Sequence, residues 1–443
     1  MNILFILPEY YPHSGGGISP YYIHYISALK PFCSRIKVIV GSGYTQAYDK
    51  FIYDGIEVEY LEPSLQQQYL TKFTKLDLFH GYRNDVAAAW AMWQQAAKGE
   101  GFDIIECTDF GLGFIPWVIE HHKPVITRMH GSTGQITLHE NSLQDSAADC
   151  VMQAELALLP LCNNLITHSS ANRNFWLNVF PGANINYIPP VYNNQQTQAL
   201  PLNERDNNGL VTARLQKWKG PVELCKAVQV LKDPVTIKWF GRDMPYLNNL
   251  TTSQYLSENF TGVWNKTVLH EKAIPNAEIT ILQRKALYGI VPSVWDMFNF
   301  TALEFLAAGT PLICSDGAGV ADIIEHGKNG FKYPANDINA LAKCIEQVLA
   351  LNSTDYNKIV QAGFKTLDEL LSPQALMPPY LKQYTDTIAS FSPSNANIFL
   401  QKLYNPADKI ITLAAVLDKQ PLKKLIKYVY KRSLAKLTGT KYQ

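Results

Sequence analysis

The sequence predicts an α/β protein of two doubly wound domains, each a parallel sheet with helices on both faces. The chain has 443 residues, of which 47% are hydrophobic and 17% charged, and this suits two packed domains better than one. Strand-like and helix-like segments alternate through the first half, as they do around parallel sheets. The alternation stops at a polar stretch and then starts again.

The first half begins with an apolar strand at Ile3–Leu7. Glu9 ends this short run, and no basic leader or small-residue cleavage site accompanies it, so we interpret it as a strand and not as a signal peptide. No apolar stretch approaches the roughly 20 residues of a membrane-spanning helix, and we expect the protein in the cytoplasm. The other expected elements are helices at Pro20–Leu29, Asp85–Ala97 and Ala147–Leu159 and strands at Ile36–Val40, Asp103–Cys107, Val125–Met129 and Asn164–Thr167.

The polar stretch lies around Tyr187–Leu210 and is rich in Pro, Asn and Gln, as interdomain linkers are. Two doubly wound domains in tandem place a ligand crevice at the carboxyl ends of both sheets. Beyond the linker, the expected elements are strands at Gly209–Ala213, Thr236–Phe240, Ala286–Val291 and Leu312–Ser315, helices at Pro221–Leu231, Thr301–Ala308 and Ile338–Leu349, and a long closing segment at Asp355–Phe391.

The net charge of +1 conceals an acidic body and a basic tail. From Lys419 to the end there are eight Lys or Arg and no Asp or Glu, which leaves 31 basic against 38 acidic residues in the rest of the chain. Nucleic-acid binding is therefore not indicated for the body. The seven cysteines are scattered without a Cys-x-x-Cys pair, and this pattern suggests neither a disulfide framework nor a zinc site.

The tail, residues Gln420–Gln443, predicts a basic amphipathic helix. A helix of this kind lies on an anionic membrane or docks on an acidic protein surface, and the sequence leaves both open. Its apolar side holds Leu422, Leu425, Ile426, Val429 and Leu437, and the surrounding cations are Lys423, Lys424, Lys427, Lys431, Arg432 and Lys436.

The first motif that suggests chemistry is Gly15-Gly16-Gly17, just ahead of a helix that opens at Ser19-Pro20. Glycines let backbone N–H groups come close to a ligand, and a helix start favours anions. A plain flexible turn is the alternative. In a dinucleotide-binding fingerprint the glycines follow the strand directly, whereas here PEYYPHS intervenes, and this argues against a dehydrogenase.

The second motif is ARLQKWKG, which places Arg214 and Lys219 between a strand and a helix. A forked guanidinium and an ammonium at the carboxyl end of a strand can neutralise a diphosphate. The alternative is a pair of solvated loop cations.

The third motif is PSVWDMFNFTALE, in which Asp296 lies in a loop and Glu304 just inside a helix. Asn299 is the expected N-cap, so nearby N–H groups would be left for an anion. Glu304 can accept hydrogen bonds from the vicinal hydroxyls of a ribose, and Asp296 from those of a sugar. The alternative is two acids that only favour a helix start.

In this order and spacing the motifs resemble family 4 of the retaining glycosyltransferases, which have the GT-B fold, two Rossmann-like doubly wound domains facing an interdomain cleft. The resemblance covers about residues 1–390. Its most specific part is Asp296-x7-Glu304, similar to the family's E-x7-E motif and followed by LAAGTPLICSD. The segments Arg-x4-Lys-Gly and GAGVADIIEHGKNGFKYPAND also match. The implied division is an acceptor-side domain at 1–195, a nucleotide-sugar domain at 196–375, a crossover helix at 376–395 and a basic extension at 396–443.

The resemblance implies roles for the matching residues. Gly16 and Gly17 would lie against the donor's diphosphate or transferred sugar, and His130, which ends a strand in the segment RMHG, would lie beside that sugar. Glu304 would hold the ribose hydroxyls. The implied catalytic residues are His130, Arg214, Lys219 and Asp296, and the donor would also contact the segment Phe298, Asn299, Phe300, Thr301, Ala302 and Leu303.

The resemblance also implies transfer of a sugar from a nucleotide-sugar donor to a glycan or lipid-linked acceptor, without metal or cofactor, in surface polysaccharide assembly. Two departures concern the transferred sugar. Asp296 stands where the family usually has Glu, and Asn299 replaces a glycine, so the backbone there is less free to adopt a positive φ. A sugar-nucleotide epimerase or phosphorylase of the same fold, and an inactive carbohydrate-binding homologue, are the alternatives.

Overall fold

The computed structural model describes residues 1–12, 16–41, 49–140, 146–194, 198–247, 250–394, 397–407 and 413–438. In these residues the chain forms two sheets, each with helices packed on it, and the structure has the predicted α/β class. The first sheet consists of β1 (Asn2–Leu7), β2 (Arg35–Val40), β3 (Lys50–Tyr53), β4 (Ile56–Tyr60), β5 (Ile104–Thr108), β6 (Val125–Met129), β7 (Asn164–Thr167) and β8 (Ile185–Tyr187).

The strand order of this sheet is β3-β4-β2-β1-β5-β6-β7-β8. Only the β3–β4 pair is antiparallel, and it is a hairpin that the sequence did not lead us to expect. The register of β1, β5 and β6 brings their carboxyl ends to one edge, so that the residues after Leu7, Thr108 and Met129 lie near one another. The helices of this half are α1 (Ile18–Leu29), α2 (Pro63–Lys72), α3 (His80–Gln95), α4 (Ile115–Glu120), α5 (Thr133–His139), α6 (Ser146–Leu158) and α7 (Ser170–Val179).

The second sheet has six parallel strands in the order β11-β10-β9-β12-β13-β14. Their bounds are β9 (Asp206–Thr212), β10 (Ile237–Phe240), β11 (Val268–Glu271), β12 (Ala286–Val291), β13 (Leu312–Ser315) and β14 (Phe331–Tyr333). The helices are α8 (Pro221–Val230), α9 (Thr252–Asn259), α10 (Asn276–Lys285), α11 (Phe300–Ala307), α12 (Ile338–Leu349), α13 (Ser353–Thr366) and α14 (Pro373–Ser390).

The chain crosses between the two sheets twice. The first crossing follows Tyr187 and ends where β9 begins at Asp206, four residues before the predicted end of the linker; residues 195–197 of it lie outside the described residues. The second is a π-helical turn, Leu367–Leu371, between α13 and α14. The backbone N–H of Tyr192 donates to the carbonyl of Leu371 at 2.8 Å, so the two crossings are bonded to each other.

Helix α14 returns to the first sheet and covers a buried ion pair there. Arg128 of β6 and Glu106 of β5 are both fully buried, with Nε–Oε1 and Nη2–Oε2 distances of 2.6 and 2.8 Å. The hydroxyl of Tyr384 on α14 donates to Glu106, as does that of Tyr22 on α1. A carboxylate taken out of water needs such hydrogen bonds. Here they fasten α14 to β5, the neighbour of the strand that carries His130 at its end.

The C-terminal extension forms α15 (Ile398–Tyr404), α16 (Leu413–Leu417) and α17 (Leu422–Thr438). The first of these docks on the first domain, where Trp90 Nε1 donates to the carbonyl of Tyr404 at 2.9 Å. Helix α17 is the helix that the tail sequence predicts, and it has no buried residue; residues 439–443 lie outside the described residues. Within the described part of the chain, no helix combines the length and apolar character needed to cross a bilayer.

Candidate active site

A cavity of about 1480 Å³ lies between the two domains. Its walls are built from the loops that follow the strands, because parallel sheets direct their carboxyl ends toward one edge. The first domain contributes Pro8 and Glu9 after β1, His130 and Gly131 after β6, and His168 after β7; the second contributes Ala213 and Arg214 after β9 and Gly241 and Arg242 after β10.

Arg214 and Lys219 both line the second-domain wall. Arg214 has no ion-pair partner among the described residues. The Nζ atom of Lys219 lies 2.5 Å from Oδ2 of Asp296 and 4.0 Å from the ring centroid of Trp218. Burial lowers the pKa of Lys219, and the charge of Asp296 opposes that shift. The structure therefore brings Arg214, Lys219 and Asp296 to the same wall. It also pairs Lys219, predicted to bind phosphate, with Asp296, predicted to bind the sugar.

Gly220 explains why a glycine must follow Lys219. Its φ is +77°, and a Cβ placed on it would come within 1.8 Å of the carbonyl oxygen of Pro292. Only glycine allows that approach. The loop with Lys219 and the loop with Asp296 thus lie against each other.

The start of α11 also lines the cavity, through Phe298, Asn299, Phe300 and Thr301. Asn299 caps the helix as predicted, because its Oδ1 accepts from the N–H of Ala302 at 3.1 Å. Its Nδ2 donates to Asp296 at 2.7 Å. Asn299 has φ +81°, so the residue adopts the backbone conformation that we expected to be less accessible to it; asparagine tolerates this region better than most residues.

Ala302 and Leu303 differ from the other predicted donor contacts. Both are fully buried in the hydrophobic core, and neither lines the cavity. Their side chains therefore do not face a ligand, and the backbone N–H of Ala302 already donates to the Asn299 cap. Any contact of these two residues with a donor would have to come from the backbone.

Glu304 lies one turn further along α11 and lines the cavity. Its Oε2 accepts from Nε2 of Gln283 at 3.0 Å, and the same nitrogen lies 3.3 Å from the hydroxyl of Thr212. Burial raises the pKa of Glu304 and the bond from Gln283 opposes the shift. Gln283 therefore holds the carboxylate in place, a role that only the folded chain reveals because Gln283 is 21 positions away.

Gly16 and Gly17 line the cavity from the first domain, and Gly17 is the N-cap of α1. Gly15, the third residue of that motif, lies outside the described residues. Glu9, which the sequence singled out only as the end of an apolar run, is buried, and its Oε1 accepts from the N–H of Ser19 at 2.9 Å. Glu9 therefore holds the start of α1, next to Gly16 and Gly17, in place.

His130 follows β6 on the opposite wall from Arg214. Its backbone N–H and that of Gly131 donate to the two carboxylate oxygens of Asp109, at 2.8 and 3.2 Å. Burial, and then the neighbouring His168 and Arg128, lower the pKa of His130 well below its ordinary value. The imidazole is therefore neutral. Neither Asp109 nor His168 was predicted, because no local pattern marks them.

The two domains touch at the edge of the cavity. Glu140, at the end of α5, accepts from Gln216 and from Nε1 of Trp218, the latter at 3.3 Å. Trp295 reaches Gly131, where an added Cβ would lie 3.5 Å from its ring. The second-domain loops that carry Lys219 and Asp296 are thereby held against the first domain.

The sequence of this chain is similar to that of known glycosyltransferases. The family model described as glycosyl transferases group 1 matches residues 193–366. D-inositol 3-phosphate glycosyltransferase from Corynebacterium diphtheriae is 26% identical over 202 residues, 42% of this chain and 45% of that protein. The enzyme of the same name from Thermobifida fusca is 24% identical over 280 residues, 57% of this chain and 62% of that protein. In the first comparison the chain spans about half the relative's length.

Solved structures share the fold. Sucrose-phosphate synthase from Thermosynechococcus elongatus superposes with a TM-score of 0.68 at 17% identity, over 88% of this chain and 100% of that one. HepE from Anabaena, in complex with UDP and glucose, superposes with a TM-score of 0.61 at 17% identity, over 88% of this chain and 100% of that one. Each of these structures is matched over its whole length by most of this chain. Residues 193–366 therefore match the group 1 glycosyltransferases, and the chain has the GT-B fold of these solved structures.

Proposed function

We propose that this protein transfers a sugar from a nucleotide-sugar donor to a glycan or lipid-linked acceptor, with retention of the anomeric configuration. One observation carries the proposal. A single cavity has Arg214, Lys219, the start of α11 and Glu304 on one wall and His130 on the other. Cations and a helix start suit a diphosphate, and a carboxylate suits the hydroxyls of a ribose.

The difficult step is breaking the bond between the anomeric carbon and the diphosphate, because negative charge grows on the leaving oxygen. Arg214, Lys219 and the first N–H groups of α11 stabilise that charge. The acceptor oxygen forms its bond to the anomeric carbon on the face that the diphosphate leaves. The acceptor's proton passes to the leaving phosphate oxygen, so atoms and charge balance without a nucleophilic side chain.

Asp296 and His130 act on the transferred sugar in this proposal. Asp296 is the partner of both Lys219 and Asn299, so it orients the ammonium as well as facing the sugar. The neutral imidazole of His130 can bind a sugar hydroxyl without placing another positive charge beside the anomeric carbon. Asp296 is shorter than the family's usual Glu. It can serve here because Lys219 and Asn299 both lie within hydrogen-bond distance of its carboxylate.

We further propose that the transfer needs no divalent metal and no cofactor. The role that a metal would have, neutralising the diphosphate, falls to Arg214 and Lys219. As donors we favour UDP-sugars, because HepE, which shares this fold, is known in complex with UDP and glucose. An acceptor linked to lipid would place the enzyme in surface polysaccharide assembly.

We also infer a peripheral contact with an anionic membrane through residues 420–443, on the cytoplasmic face. Helix α17 exposes apolar side chains to solvent, with Leu437 85% and Leu422 71% exposed. Lysine side chains flank them, and this combination binds anionic lipid surfaces. The alternative is that α17 docks on the acidic body of this protein. Docking would bury the apolar face of the helix, whereas no residue of α17 is buried.

The proposal is tested by thermal stabilisation and turnover with UDP-glucose, GDP-mannose and ADP-glucose. We expect one donor to stabilise the wild type. Arg214→Ala, which breaks no ion pair among the described residues, should lose both stabilisation and transfer. The matched control is Lys328→Ala with Lys358→Ala, two exposed cations of the same domain. Near-normal transfer by Arg214→Ala would contradict the proposal.

The same assay without acceptor separates the alternatives. A transferase hydrolyses its donor slowly to free sugar and nucleoside diphosphate, whereas an epimerase converts the donor into a second nucleotide sugar. An inactive carbohydrate-binding protein gives neither product.

A further inference from the structure

His168 lines the cavity beside His130 and has no part in the mechanism so far. It follows β7, as His130 follows the neighbouring strand β6. Its side chain is buried, with 2% of its surface exposed, and its ring centroid lies 5.0 Å from that of His130. The parallel register of β6 and β7 therefore sets two imidazoles side by side at one edge of the cavity.

The hydrogen bonding of His168 fixes which nitrogen carries its proton. Nδ1 lies 3.1 Å from the carbonyl oxygen of Ile188, which can only accept, so Nδ1 is the donor. Burial, and then the charge of Arg128, lower the pKa of His168 to about 3. The ring is therefore neutral near pH 7, and its Nε2 presents a lone pair.

No hydrogen-bond donor of the described residues reaches that lone pair. Neither Nε2 of His168 nor Nε2 of His130 has a hydrogen-bond partner among the described residues, although both atoms are buried. Buried polar atoms are nearly always paired in folded proteins. Two unpaired atoms at the same edge of the cavity indicate a ligand group that can bond to both, and a hydroxyl, which donates and accepts, is such a group.

We propose that His168 is a sugar-binding residue whose Nε2 accepts a hydrogen bond from a hydroxyl of the transferred sugar, beside the contact of His130. The inference rests on the proposed function, because it takes the cavity to be the donor site. It adds a residue that recognises the sugar and not the nucleotide, and so contributes to the choice of donor.

Two substitutions separate this role from a structural one. In His168→Asn the side-chain amide can still donate to Ile188, so the structural bond is kept and only Nε2 is lost. In His168→Gln the longer side chain brings an amide oxygen toward the position of Nε2. His326→Asn is the matched control, because the Nδ1 atom of this exposed histidine also lies against a backbone carbonyl, that of Lys332 at 2.9 Å.

The experiment measures binding of UDP, GDP and ADP and of UDP-glucose, GDP-mannose and ADP-glucose to the wild type and the three variants by calorimetry. The variants are compared on one donor, the nucleotide sugar that binds the wild type most tightly relative to the nucleoside diphosphate it contains. We expect His168→Asn to weaken that donor about 10- to 100-fold and to leave its nucleotide within about twofold. His168→Gln should bind the donor more tightly than His168→Asn, and His326→Asn should equal the wild type.

The other outcomes overturn the inference in distinguishable ways. Unchanged donor affinity in His168→Asn, with normal nucleotide binding, refutes the role of His168 and leaves the proposed function intact. Equal weakening of donor and nucleotide indicates a structural role only. If the wild type binds no donor more tightly than the corresponding nucleotide, the sugar contact is refuted. If the wild type binds no nucleotide, the proposed function is refuted as well.

Discussion

The indole ring of Trp295 lies flat on the imidazole of His139, with ring centroids 4.4 Å apart and planes 9° from parallel. The two residues belong to different domains, and Trp295 immediately precedes Asp296. The stack therefore joins the first domain to the second-domain loop in which Asp296 holds Lys219.

The stack should contribute to donor binding. A stacked aromatic pair is worth about 0.5–1.5 kcal/mol beyond its buried area, so we expect His139→Ala to weaken nucleotide binding about 2- to 10-fold. A double-mutant cycle with Trp295→Ala, read by calorimetry, isolates the pair. Phe175→Ala, an exposed ring of the first domain, is the control. Additive effects of the two substitutions would show that the stack does not couple the domains.

Asp296→Asn should shift the pH dependence of transfer. Asp296 opposes the lowering of the Lys219 pKa by burial, so its neutralisation lowers that pKa further. Lys219 acts as a cation, and the fall of kcat/KM on the alkaline side should therefore move to lower pH in the variant. Asp386→Asn, which removes the acid of an exposed pair with Lys382, should leave the profile unchanged. An unshifted alkaline limb in Asp296→Asn would separate Lys219 from turnover.

The buried carboxyl of Asp109 should make stability depend on pH. Burial raises its pKa from 3.8 to about 7. Between those values the native state holds a proton that the unfolded chain has released, so the free energy of unfolding falls as pH rises. Asp109→Asn should remove this part of the slope, measured as Tm against pH between about 4 and 7, whereas Glu325→Gln at the surface should not. Parallel Tm curves for wild type and Asp109→Asn would contradict the prediction.

The Arg128–Glu106 pair should be costly to break from one side. Arg128→Met leaves a buried carboxylate unpaired, and we expect it to lower the free energy of unfolding by about 3–5 kcal/mol. Adding Glu106→Gln should restore part of the loss. Arg35→Met, at an exposed pair with Glu57, should cost at most about 1 kcal/mol. Urea unfolding measures all three, and equal costs for the buried and exposed pairs would refute the assignment.

Removal of the tail should abolish membrane binding. A chain ending at residue 419 should no longer co-sediment with phosphatidylglycerol vesicles, and the full chain should bind them less at high salt. Lys423→Glu with Lys424→Glu and Lys427→Glu should release the full chain as truncation does. Vesicles of phosphatidylcholine alone are the control. Equal co-sedimentation of full and truncated chains would place any membrane contact elsewhere.

The sequence located those candidate site residues whose position is set by their own stretch of backbone. Arg214 and Lys219 follow a strand, Gly220 has a conformation that favours glycine, and Asn299 caps a helix. Each has a local signature, because the physical demand comes from residues within one turn. The doubly wound sheets were equally predictable, since alternating apolar segments specify them.

Residues that act through distant partners were not predictable. His168 matters because it lies beside His130, 38 positions earlier, and Trp295 because it meets His139. Only the folded chain brings these pairs together. The β3–β4 hairpin was missed for a different reason, since β3 has no buried residue to mark it as a strand.

The hydrogen bond between Tyr192 and Leu371 ties together the two places where the chain passes between its domains. Because the two connections are bonded side by side, we expect them to form the pivot of any relative motion of the domains. Such a pivot would let the cavity widen while the two connections stay together.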